Sequence, residues 1–510
     1  MPNVIIPAAG QYGLIADQPA QELPPNAWTT AQNMRFRDGC AETFLGHAQV
    51  FTTPSVTPYF LLPFATSTTR YWLHAGLNSV FSDDGTTRTN ITGTALTATA
   101  ANRFTGGVLN GVAIINSQAD APKYWGGTST LATLPGWDST WRAKSVRPFK
   151  NFLFALHVTK GATVYPHLVA WSDAAEPGTV PTSWDGGDPT KLAGENDLAE
   201  TSDWMVDALP LGDALIIYKQ RSMYAARFVG GNLVFEFRRL PGTYGMLTQG
   251  CAVETPNGHV VLSAGDVVLH NGGEPRSIIS GRLRSWLFDT QIDPTNVGRC
   301  FVSANPARSE VWICYPEVGQ SSCTAALVWN WDTDTWAPRS LPNVTHAATG
   351  LLGYSTSDAW SADSASWDTD STAWNQDDLA SPQARMLMAS AAPSIYLADS
   401  GLAFPGASGT YLLERSGLAF DDPERIKLLR GIVPRVDAPK GTQIQVTFGA
   451  SMTSEEPPEW EDPVTYTVGS SYRADSFVSG RFLAVRFSAP AGVRWRIKSW
   501  TADVVPGGLY

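Results

Sequence analysis

Residues 214–240 read ALIIYKQRSMYAARFVGGNLVFEFRRL, and this stretch decides the fold class. It contains three runs of aliphatic and aromatic residues, which are separated by the polar segment KQRS and by Gly-Gly-Asn. Runs of about four to eight such residues that end in Gly, Asn or Asp are typical of β-strands. The stretch therefore predicts three successive strands of an antiparallel meander.

Paired strand patterns around tight turns recur elsewhere in the chain. Residues 33–44, NMRFRDGCAETF, place Asp-Gly between two such patterns, which is a strong signal for a two-residue hairpin turn. Residues 259–273, HVVLSAGDVVLHNGG, predict a second hairpin with Gly-Asp at its turn. Two similar segments, IYLADSGLAF at 395–404 and TYLLERSGLAF at 410–420, predict adjacent hairpins that stack on each other.

Helical periodicity is nearly absent from the chain. Residues 277–289, SIISGRLRSWLFD, predict one short helix, because four apolar residues fall at helical spacing: Ile279, Leu283, Trp286 and Leu287. Residues 24–34, PPNAWTTAQNM, predict a helical turn near the start. The remaining patterns favour strands, so the predicted fold class is all-β.

The length of the strand-rich region indicates its architecture. In this chain of 510 residues, strand patterns recur every ~10 to 15 residues from about residue 50 to 350 without intervening helices. A single sandwich of that length would be unusually large, and radial repetition is one way in which large all-β folds avoid exposed strand edges. The sequence therefore predicts a β-propeller over residues 51–357, preceded by an N-terminal arm and hairpin at 1–50.

A second strand-rich region occupies residues 411–510. Within it, residues 493–499, VRWRIKS, alternate apolar side chains with the basic side chains of Arg494, Arg496 and Lys498. Such alternation is typical of a strand with one face buried and one face in water, and the region predicts a β-sandwich. We interpret the basic stripe as a solvated face, and it carries no aromatic residue on which a base could stack.

Charge and composition limit the function classes. Asp and Glu outnumber Lys and Arg by 47 to 36, which gives a net charge of −11. Tight nucleic-acid binding depends on Lys and Arg that neutralise phosphates, so an acidic chain is a poor candidate for it. Such a chain can still form a surface along which DNA passes without sticking. The 43% hydrophobic content excludes a disordered chain.

Cysteine usage and the absence of targeting patterns indicate where the chain is made. The five cysteines are Cys40, Cys251, Cys300, Cys314 and Cys323. Their number is odd and no pair has the C-x-x-C spacing, so we expect buried free thiols and synthesis in a reducing compartment. The first residues lack the features of a signal peptide, and no run approaches the ~18 apolar residues of a membrane-spanning helix. We therefore expect no membrane-spanning segment.

Motifs for catalysis, metal binding or phosphate binding are absent from the sequence at their required spacings. His259 and His270 lie on either side of the predicted hairpin, where they could face each other, and we interpret them as structural histidines. The Asp-Thr-Asp segments at 332–335 and 368–371 lack the glycine and glutamate of a calcium loop and are interpreted as turns. A carboxylate pair brought together by the fold, as in a glycosidase, stays open at this point. We predict no catalytic residue, no metal site and no cofactor.

Three stretches resemble virion proteins of tailed bacteriophages. They are LPPNAWTTAQNMRFRDGCAETFLGH (23–47), LVWNWDTDTWAPRSLP (327–342) and SGRFLAVRFSAPAGVRWRIKSWTADVVPGGLY (479–510). The first resembles the short turn and hairpin at the start of those proteins, the second a propeller strand pair, and the third their C-terminal domain. The chain thus resembles the tail nozzle family of short-tailed bacteriophages, whose members are also called tail tubular or head-closure stabilising proteins.

The resemblance implies a β-propeller with an accompanying β-sandwich, and a homohexamer that surrounds an axial channel for double-stranded DNA. It also implies docking to an adaptor ring below the portal, contact with tail needle or fibre proteins, and no catalytic residues. The implied function is to retain packaged DNA and to conduct it at ejection. The implied location is the virion tail, after synthesis in the cytoplasm of the bacterial host.

Two other function classes stay open at the level of sequence. A phage receptor-binding or tailspike protein would recognise or cleave surface polysaccharide, would use exposed Trp side chains as sugar platforms, and would normally be trimeric. A cellular carbohydrate-binding propeller is the third possibility. The oligomeric state separates these classes from a nozzle.

One Trp-rich stretch matches no feature of the resembled family. Residues 358–378 read DAWSADSASWDTDSTAWNQDD, with tryptophans seven residues apart. A coiled coil needs two apolar positions in every seven residues, and Ser, Thr, Asp and Asn compete with helix by bonding their own backbone. We therefore interpret 358–410 as a connecting segment of short turns and a hairpin. We predict that Trp360, Trp367 and Trp374 form a structural seam against a neighbouring surface of the chain or of an adjacent subunit.

Overall fold

The computed structural model describes residues 3–352 and 384–509. Among the described residues, strands make up 51% and helices 4%, which confirms the predicted all-β fold class. Within the described ranges the strands form eight sheets of antiparallel neighbours. Trp360, Trp367 and Trp374 lie outside the described residues, so the structural seam stays a prediction.

Five short strands precede the first complete sheet. They are β1 (Asn3–Ile6), β2 (Thr30–Gln32), β3 (Met34–Arg37), β4 (Cys40–Thr43) and β5 (His47–Gln49). β3 and β4 form the predicted hairpin, and the φ angles of 50° at Asp38 and 69° at Gly39 are those that a two-residue type I′ turn requires. The helical turn predicted over 24–34 is wrong, because β2 occupies part of it and is held by pairing with a strand far away in the chain.

Five consecutive four-stranded sheets follow. The first contains β6 (Phe60–Ala65), β7 (Arg70–Ala75), β8 (Val80–Asp83) and β9 (Arg88–Asn90), and the second contains β10 (Thr105–Leu109), β11 (Val112–Asn116), β12 (Lys123–Trp125) and β13 (Ala132–Thr133). The third contains β14 (Trp141–Phe149), β15 (Phe152–Lys160), β16 (Thr163–Trp171) and β17 (Gly194–Asp197). The fourth contains β18 (Met205–Leu211), β19 (Ala214–Lys219), β20 (Met223–Gly230) and β21 (Val234–Arg239). The fifth contains β22 (Ala252–Thr255), β23 (Gly258–Ser263), β24 (Asp266–His270) and β25 (Arg276–Ser277).

Each of these five sheets is a meander, in which strands pair in the order of the chain. The meander predicted at 214–240 is confirmed as β19, β20 and β21. The hairpin predicted at 259–273 is confirmed as β23 and β24, with His259 directly opposite His270. Local turn chemistry and short apolar runs were therefore sufficient to predict these pairings.

Helices are few and short in the described part of the chain. The segment predicted at 277–289 contains a helical turn that continues into a π-helix at Trp286–Gln291, and its apolar residues Ile279, Leu283 and Leu287 are fully buried. The 3₁₀ helices are Ala20–Glu22, Gly231–Leu233, Val297–Arg299 and Pro306–Arg308. No helix among the described residues is long and apolar enough to cross a bilayer.

The sixth sheet has seven strands and includes residues from before the first sheet. Its strands are β26 (Phe301–Asn305), β27 (Glu310–Tyr315), β28 (Cys323–Asn330), β29 (Thr335–Leu351), β30 (Ala384–Ser390), β31 (Ser394–Ala398) and β5. β29 pairs with β28 along its first part and with β30 along its second part. Because β5 pairs with β31, a segment that precedes the first sheet completes the sixth.

The six sheets follow one another in a closed order. The first strands of successive sheets contact each other from β6 through β10, β14, β18 and β22 to β26. β29 of the sixth sheet contacts β6 of the first. Five of the six sheets contribute residues to a cavity that lies among these strands, and Arg103 and Phe104, which directly precede β10 of the second sheet, also line it.

The remaining strands form two six-stranded sheets together with the N-terminal strands. They are β32 (Tyr411–Leu418), β33 (Arg425–Asp437), β34 (Gln443–Ser451), β35 (Glu459–Trp460), β36 (Val464–Thr467), β37 (Ala474–Gly480), β38 (Phe482–Ala489) and β39 (Arg496–Leu509). One sheet has the order β3-β4-β39-β33-β37, with β1 also paired to β39. The other has the order β2-β32-β38-β34-β35, with β36 also paired to β34. The two ends of the chain are therefore paired within the same sheets.

The similar segments at 395–404 and 410–420 do not form stacked hairpins, so that prediction is wrong. The first contains β31, which pairs with β30 and β5 in the sixth sheet. The second contains β32, which pairs with β2 and β38 in a C-terminal sheet. Each strand takes a partner from the N-terminal residues, and this non-local pairing overrides the local similarity.

Buried tryptophans join the two C-terminal sheets. Phe487 of β38 contacts Trp500 of β39, with ring centroids 6.4 Å apart, and contacts Trp28 edge-on at 6.1 Å. The alternation predicted at 493–499 is confirmed, because Trp495 and Ile497 are fully buried. Fully burying an aromatic or aliphatic side chain stabilises a fold by about 1.5–3 kcal/mol, so these contacts make a large contribution to the core.

Four buried charged side chains join β3 to the sixth sheet. The Nε atom of Arg35 lies 2.5 Å from Oε1 of Glu310, and its Nη2 atom lies 2.6 Å from Oδ2 of Asp399. The Nη1 atom of Arg339 lies 2.7 Å from Oδ1 of the same Asp399. We call these four residues the buried charge cluster; none of their side chains is more than 7% exposed.

The buried charge cluster is balanced, with two guanidinium groups and two carboxyl groups. A buried charge is strongly unfavourable unless it is paired and hydrogen-bonded. Burial alone would raise the pKa of Asp399, but the charges of Arg35 and Arg339 outweigh burial and lower this pKa to about 2. Its contribution to stability is therefore complete above the ordinary carboxyl pKa and is lost only as the pH falls through about 2.

We expect the substitution Asp399→Asn to lower the free energy of unfolding by about 3–5 kcal/mol, because it leaves two buried guanidinium groups without their shared counter-charge. Asn keeps the size of Asp and tolerates the φ of 54° at this position, so backbone strain does not contribute. Urea unfolding measures the change.

The matched control is Asp334→Asn. Asp334 also has a positive φ, of 51°, and pairs with Arg282 at 2.8 Å, but both side chains are at least one-third exposed. We expect this substitution to change stability by less than about 1 kcal/mol. Equal effects of the two substitutions would contradict a structural role for the buried charge cluster.

Candidate functional site

The central cavity has a volume of about 460 Å³ and lies among the first strands of the six sheets. Its cationic lining consists of Arg103, Arg147 and Arg299. Arg103 and Arg299 lie just before a strand, whereas Arg147 and His346 lie within one. In the part of the chain that the structure describes, no Asp or Glu side chain lines this cavity.

Arg147 of β14 is neutralised by a carboxylate of the neighbouring sheet. Its Nε donates to Oδ1 of Asp207 at 2.7 Å, and its Nη2 donates to Oδ2 at 2.5 Å. Burial would raise the pKa of Asp207, but the charge and hydrogen bonds of Arg147 lower it below its usual range. Asp207 therefore stays ionised. Its negative charge balances the positive charge of Arg147 and of no other arginine in the cavity wall.

Arg103 and Arg299 have no such balance. The Nη2 of Arg103 donates to the carbonyl oxygen of Cys300 at 2.6 Å and to that of Arg299 at 3.2 Å. Neither arginine forms an ion pair with any residue that the structure describes. Burial lowers the pKa of Arg103, and the like charge of Arg299 acts in the same direction. Two half-buried positive charges thus remain uncompensated at one wall of the cavity.

His346 of β29 is held beside the arginines as a neutral imidazole. Its Nδ1 accepts a hydrogen bond from the backbone N–H of Leu61 at 3.2 Å, so the proton of the neutral ring lies on Nε2. Burial, together with the charges of Arg103 and Arg147, lowers the pKa of His346 to about 3. His346 is therefore a hydrogen-bond donor at neutral pH.

Aromatic rings complete the walls of the central cavity. Phe60 and Phe104 stack with their centroids 6.2 Å apart, and Phe301 stacks on His346 at 6.0 Å. The cavity therefore combines cationic groups with apolar surface. Sequence reasoning missed this site, because its residues are far apart in the chain and follow no motif.

Three apolar side chains are exposed on one C-terminal sheet or directly beside it. Phe477 of the edge strand β37 is 78% exposed and the nearby Tyr472 is 82% exposed, while Ile5 of β1 is 61% exposed. The sequence neighbours of Phe477 and Ile5 point inward, since Val478 and Ile6 are buried. We call Tyr472 and Phe477 the C-terminal patch, because Ile5 lies on β1, which β39 and β33 separate from β37. Exposed Phe and Tyr on a strand edge are typical of protein interfaces.

A second apolar patch lies at the tip of β20 and β21. It consists of Phe228, Val229 and Leu233, of which Leu233 is 74% exposed. Phe228 packs against Phe152 at 5.8 Å, which ties the tip to the third sheet. We call these exposed residues the β20–β21 patch. It differs from the C-terminal patch in composition and in the sheet that carries it.

A further cavity of about 560 Å³ lies between the third and fourth sheets. Trp204, which is 54% exposed, forms part of its wall together with Lys144 and Gln220. The Trp204 ring meets His157 edge-on at 6.0 Å. An exposed indole beside polar side chains is the kind of platform that binds a sugar ring.

His259 and His270 face each other, as the hairpin pattern predicted, and Tyr218 joins them. Nε2 of His259 bonds the carbonyl oxygen of Pro210 at 2.7 Å and therefore carries the proton, so Nδ1 accepts from the Tyr218 hydroxyl at 2.6 Å. Nε2 of His270 then donates to the same hydroxyl oxygen at 2.7 Å. Burial lowers the pKa of each histidine to about 4. Both are thus structural histidines in the neutral form.

The remaining sequence-predicted residues have structural surroundings. All five cysteines are free and buried, as predicted. The Asp-Thr-Asp segment at 332–335 forms the turn between β28 and β29, with Oδ1 of Asn330 accepting from two backbone N–H groups at 3.0 Å. In the described residues, no three His, Cys, Asp or Glu side chains are grouped so that they could hold a metal ion.

The predicted basic stripe is paired with carboxylates. Arg494 lies 3.9 Å from Glu42, Arg496 lies 3.6 Å from Asp38, and Lys498 lies 3.2 Å from Asp437. These pairs are partly exposed, so each adds little to stability. They reduce the positive charge that the stripe could offer to a phosphate backbone.

Comparison with known proteins assigns no family: no family model matches the chain, and no curated protein matches it. Among solved structures, the extracellular domain of a putative one-component system from B. thetaiotaomicron aligns with a TM-score of 0.42 and 7% identity, over 70% of this chain and 40% of that chain. The computationally designed protein Ika8 aligns with a TM-score of 0.34 and 10% identity, over 69% of this chain and 99% of that chain. Similarities as weak as these support no inference about function.

We expect the imidazoles of His259 and His270 to stay neutral down to about pH 5, because burial lowers the pKa of each to about 4. The unfolded chain binds these protons near pH 6.5, so stability falls as the pH drops from 6.5 to 4, by about 1.4 kcal/mol per pH unit for each histidine. NMR of ¹³C-labelled imidazoles, assigned with single His→Gln variants, measures the titration. A midpoint near pH 6.5 for either ring would contradict the hydrogen-bond assignment.

We expect Tyr218→Phe to lower the free energy of unfolding by about 1–3 kcal/mol, because it leaves one nitrogen of each buried histidine without a partner. The control is Tyr124→Phe, since the hydroxyl of Tyr124 bonds no residue that the structure describes. The control should change stability by less than about 0.5 kcal/mol. Denaturant unfolding at pH 7 compares the two variants, and a neutral effect of Tyr218→Phe would show that the histidines do not depend on it.

Proposed function

We propose that residues 60–351, together with β30, β31 and β5 of the sixth sheet, form a six-bladed β-propeller, with each of the six successive sheets as a blade. Three observations support this architecture: the meander order within the sheets, the contacts between successive first strands, and the contact of β29 with β6. β5 would complete the last blade and keep the ring of blades closed. The two C-terminal sheets, packed through Phe487 and Trp500, would form the accompanying β-sandwich.

On this architecture, the chain functions as a ring-forming virion protein, the tail nozzle of a short-tailed bacteriophage. The observation that carries the proposal is the presence of two unlike exposed apolar patches on one chain, the C-terminal patch and the β20–β21 patch. Large exposed apolar patches mark interaction surfaces. When one patch of each copy meets the other patch of the next copy, the contact is head-to-tail, and a head-to-tail contact whose rotation closes produces a ring.

The number of copies and the other partners follow from the family resemblance. A homohexamer would surround an axial channel, dock to an adaptor ring below the portal and contact tail needle or fibre proteins. The net charge of −11 per chain suits a channel for double-stranded DNA, because DNA slides past a surface that does not neutralise its phosphates. The ring would retain packaged DNA and conduct it at ejection, in the tail of a virion.

A receptor-binding or tailspike protein is the second candidate, and one observation favours it. Trp204 stands exposed at a cavity with polar neighbours, which is an arrangement that suits a sugar ring. Such a protein would normally be trimeric and would bind or cleave surface polysaccharide. The nozzle is preferred, because the three stretches at 23–47, 327–342 and 479–510 resemble the nozzle family.

We expect the purified protein to form a ring of six copies, and the double substitution Tyr472→Ser and Phe477→Ser to convert it to monomers. Removing two large side chains from the centre of an interface costs about 2 kcal/mol or more per residue. Native mass spectrometry at micromolar concentration measures the number of copies.

The control is Val318→Ser, which replaces an apolar side chain that is 64% exposed but lies outside both patches. This variant should keep six copies. A wild-type trimer, or a monomer that binds a glycan through Trp204, would contradict the nozzle and favour the second candidate. Antibody labelling of virions provides an independent readout, with label on the tail axis for a nozzle and at fibre tips for a receptor-binding protein.

A further inference from the structure

We propose that the central cavity is a binding site for a small organic anion that carries a phosphate group on an apolar, planar body, as a nucleoside monophosphate does. This site is distinct from the surfaces of the nozzle proposal, and its existence does not depend on ring assembly. Three features of the cavity lead to this ligand class: its charge, its donors and its walls.

The charge of the cavity is opposite to that of the whole chain. The chain carries a net charge of −11, yet three arginines and no carboxylate line the cavity within the described residues. Asp207 balances Arg147, which leaves Arg103 and Arg299 without a counter-ion. Burying a charge without a partner is unfavourable in free energy. A bound anion would supply the missing partner for these two half-buried groups.

The donors of the cavity are fixed before any ligand binds. Two backbone carbonyl groups hold Nη2 of Arg103, and Nε and Nη1 of the same guanidinium stay without a partner among the described residues. The Nε2–H of His346 is a further donor, because Nδ1 is occupied by the N–H of Leu61. Nε–H and Nη1–H of this guanidinium point in different directions, so each can donate one charge-assisted hydrogen bond to an anionic oxygen.

The walls and size of the cavity fit an anion that has an apolar body. Phe60, Phe104 and Phe301 supply aromatic surface on which a planar ring can stack. The volume of about 460 Å³ lies within the range of about 300–1,000 Å³ that is typical of small-molecule sites. An inorganic ion would fill only a small part of this space and would make no use of the aromatic walls.

Isothermal titration of the assembled full-length protein with AMP, adenosine and inorganic phosphate tests the proposal. AMP should bind more tightly than adenosine, which lacks the charge, and more tightly than inorganic phosphate, which lacks the ring. Failure of AMP to bind at millimolar concentration would overturn the proposal. Phosphate binding as tightly as AMP would overturn the assignment of an apolar body, and adenosine binding as tightly as AMP would overturn the role of the arginines.

Single-residue variants locate the binding to the cavity. Arg299→Gln should weaken AMP binding about tenfold or more, as the loss of one charged hydrogen bond predicts. Its guanidinium bonds no described residue, so this variant should fold as the wild type does. Arg103→Gln should weaken binding at least as much, and its unfolding midpoint checks the fold.

The control is Arg276→Gln, at an exposed arginine of the fifth sheet that does not line the cavity, and it should leave the affinity unchanged. Equal affinity in the wild type and in both cavity variants would overturn the proposal, even if AMP binds elsewhere on the protein.

Discussion

The buried charge cluster is the constraint on which the arrangement of the sheets depends. Asp399 bridges two guanidinium groups, one from β3 near the start of the chain and one from β29 in the sixth sheet. Because charges buried to this extent are tolerated only when each partner is in place, β3 and the sixth sheet have a fixed relative position. β3 also belongs to a C-terminal sheet, so the cluster ties that sheet to the sixth as well.

Strand β29 transmits this constraint to the central cavity. Arg339 near its start belongs to the cluster, and His346 farther along the same strand lies in the cavity wall. Between them the strand changes its pairing partner from β28 to β30, and it also contacts β6 of the first sheet. One continuous strand, β29, therefore makes the contact with β6 that closes the order of six sheets and carries the His346 donor that faces the cavity. The buried charge cluster sets the position of this strand.

The sequence allowed the local pairings to be predicted, and the structure shows why the non-local ones could not be. The hairpin at 33–44 and the meander at 214–240 depend on turn residues and apolar runs within a few residues of each other. The pairing of β1 with β39 and of β5 with β31 depends on packing between segments hundreds of residues apart, which leaves no local pattern. The central cavity was missed for the same reason, because Arg103 and Arg299 meet only through the fold. The predicted seam of Trp360, Trp367 and Trp374 lies outside the described residues.

The acidic surface and the cationic cavity can serve different purposes in one chain because geometry separates them. Charges on the surface act over about one Debye length, roughly 8 Å at physiological salt, and an excess of carboxylates there keeps the phosphates of a polymer from binding. Arg103 and Arg299 are half-buried in the wall of a cavity of about 460 Å³, a volume that fits a small anion and not a double helix. On the nozzle proposal, this enclosure keeps Arg103 and Arg299 away from DNA that would pass along the chain. Their position thus differs from that of Arg494 and Lys498, whose charges on the basic stripe are paired with carboxylates.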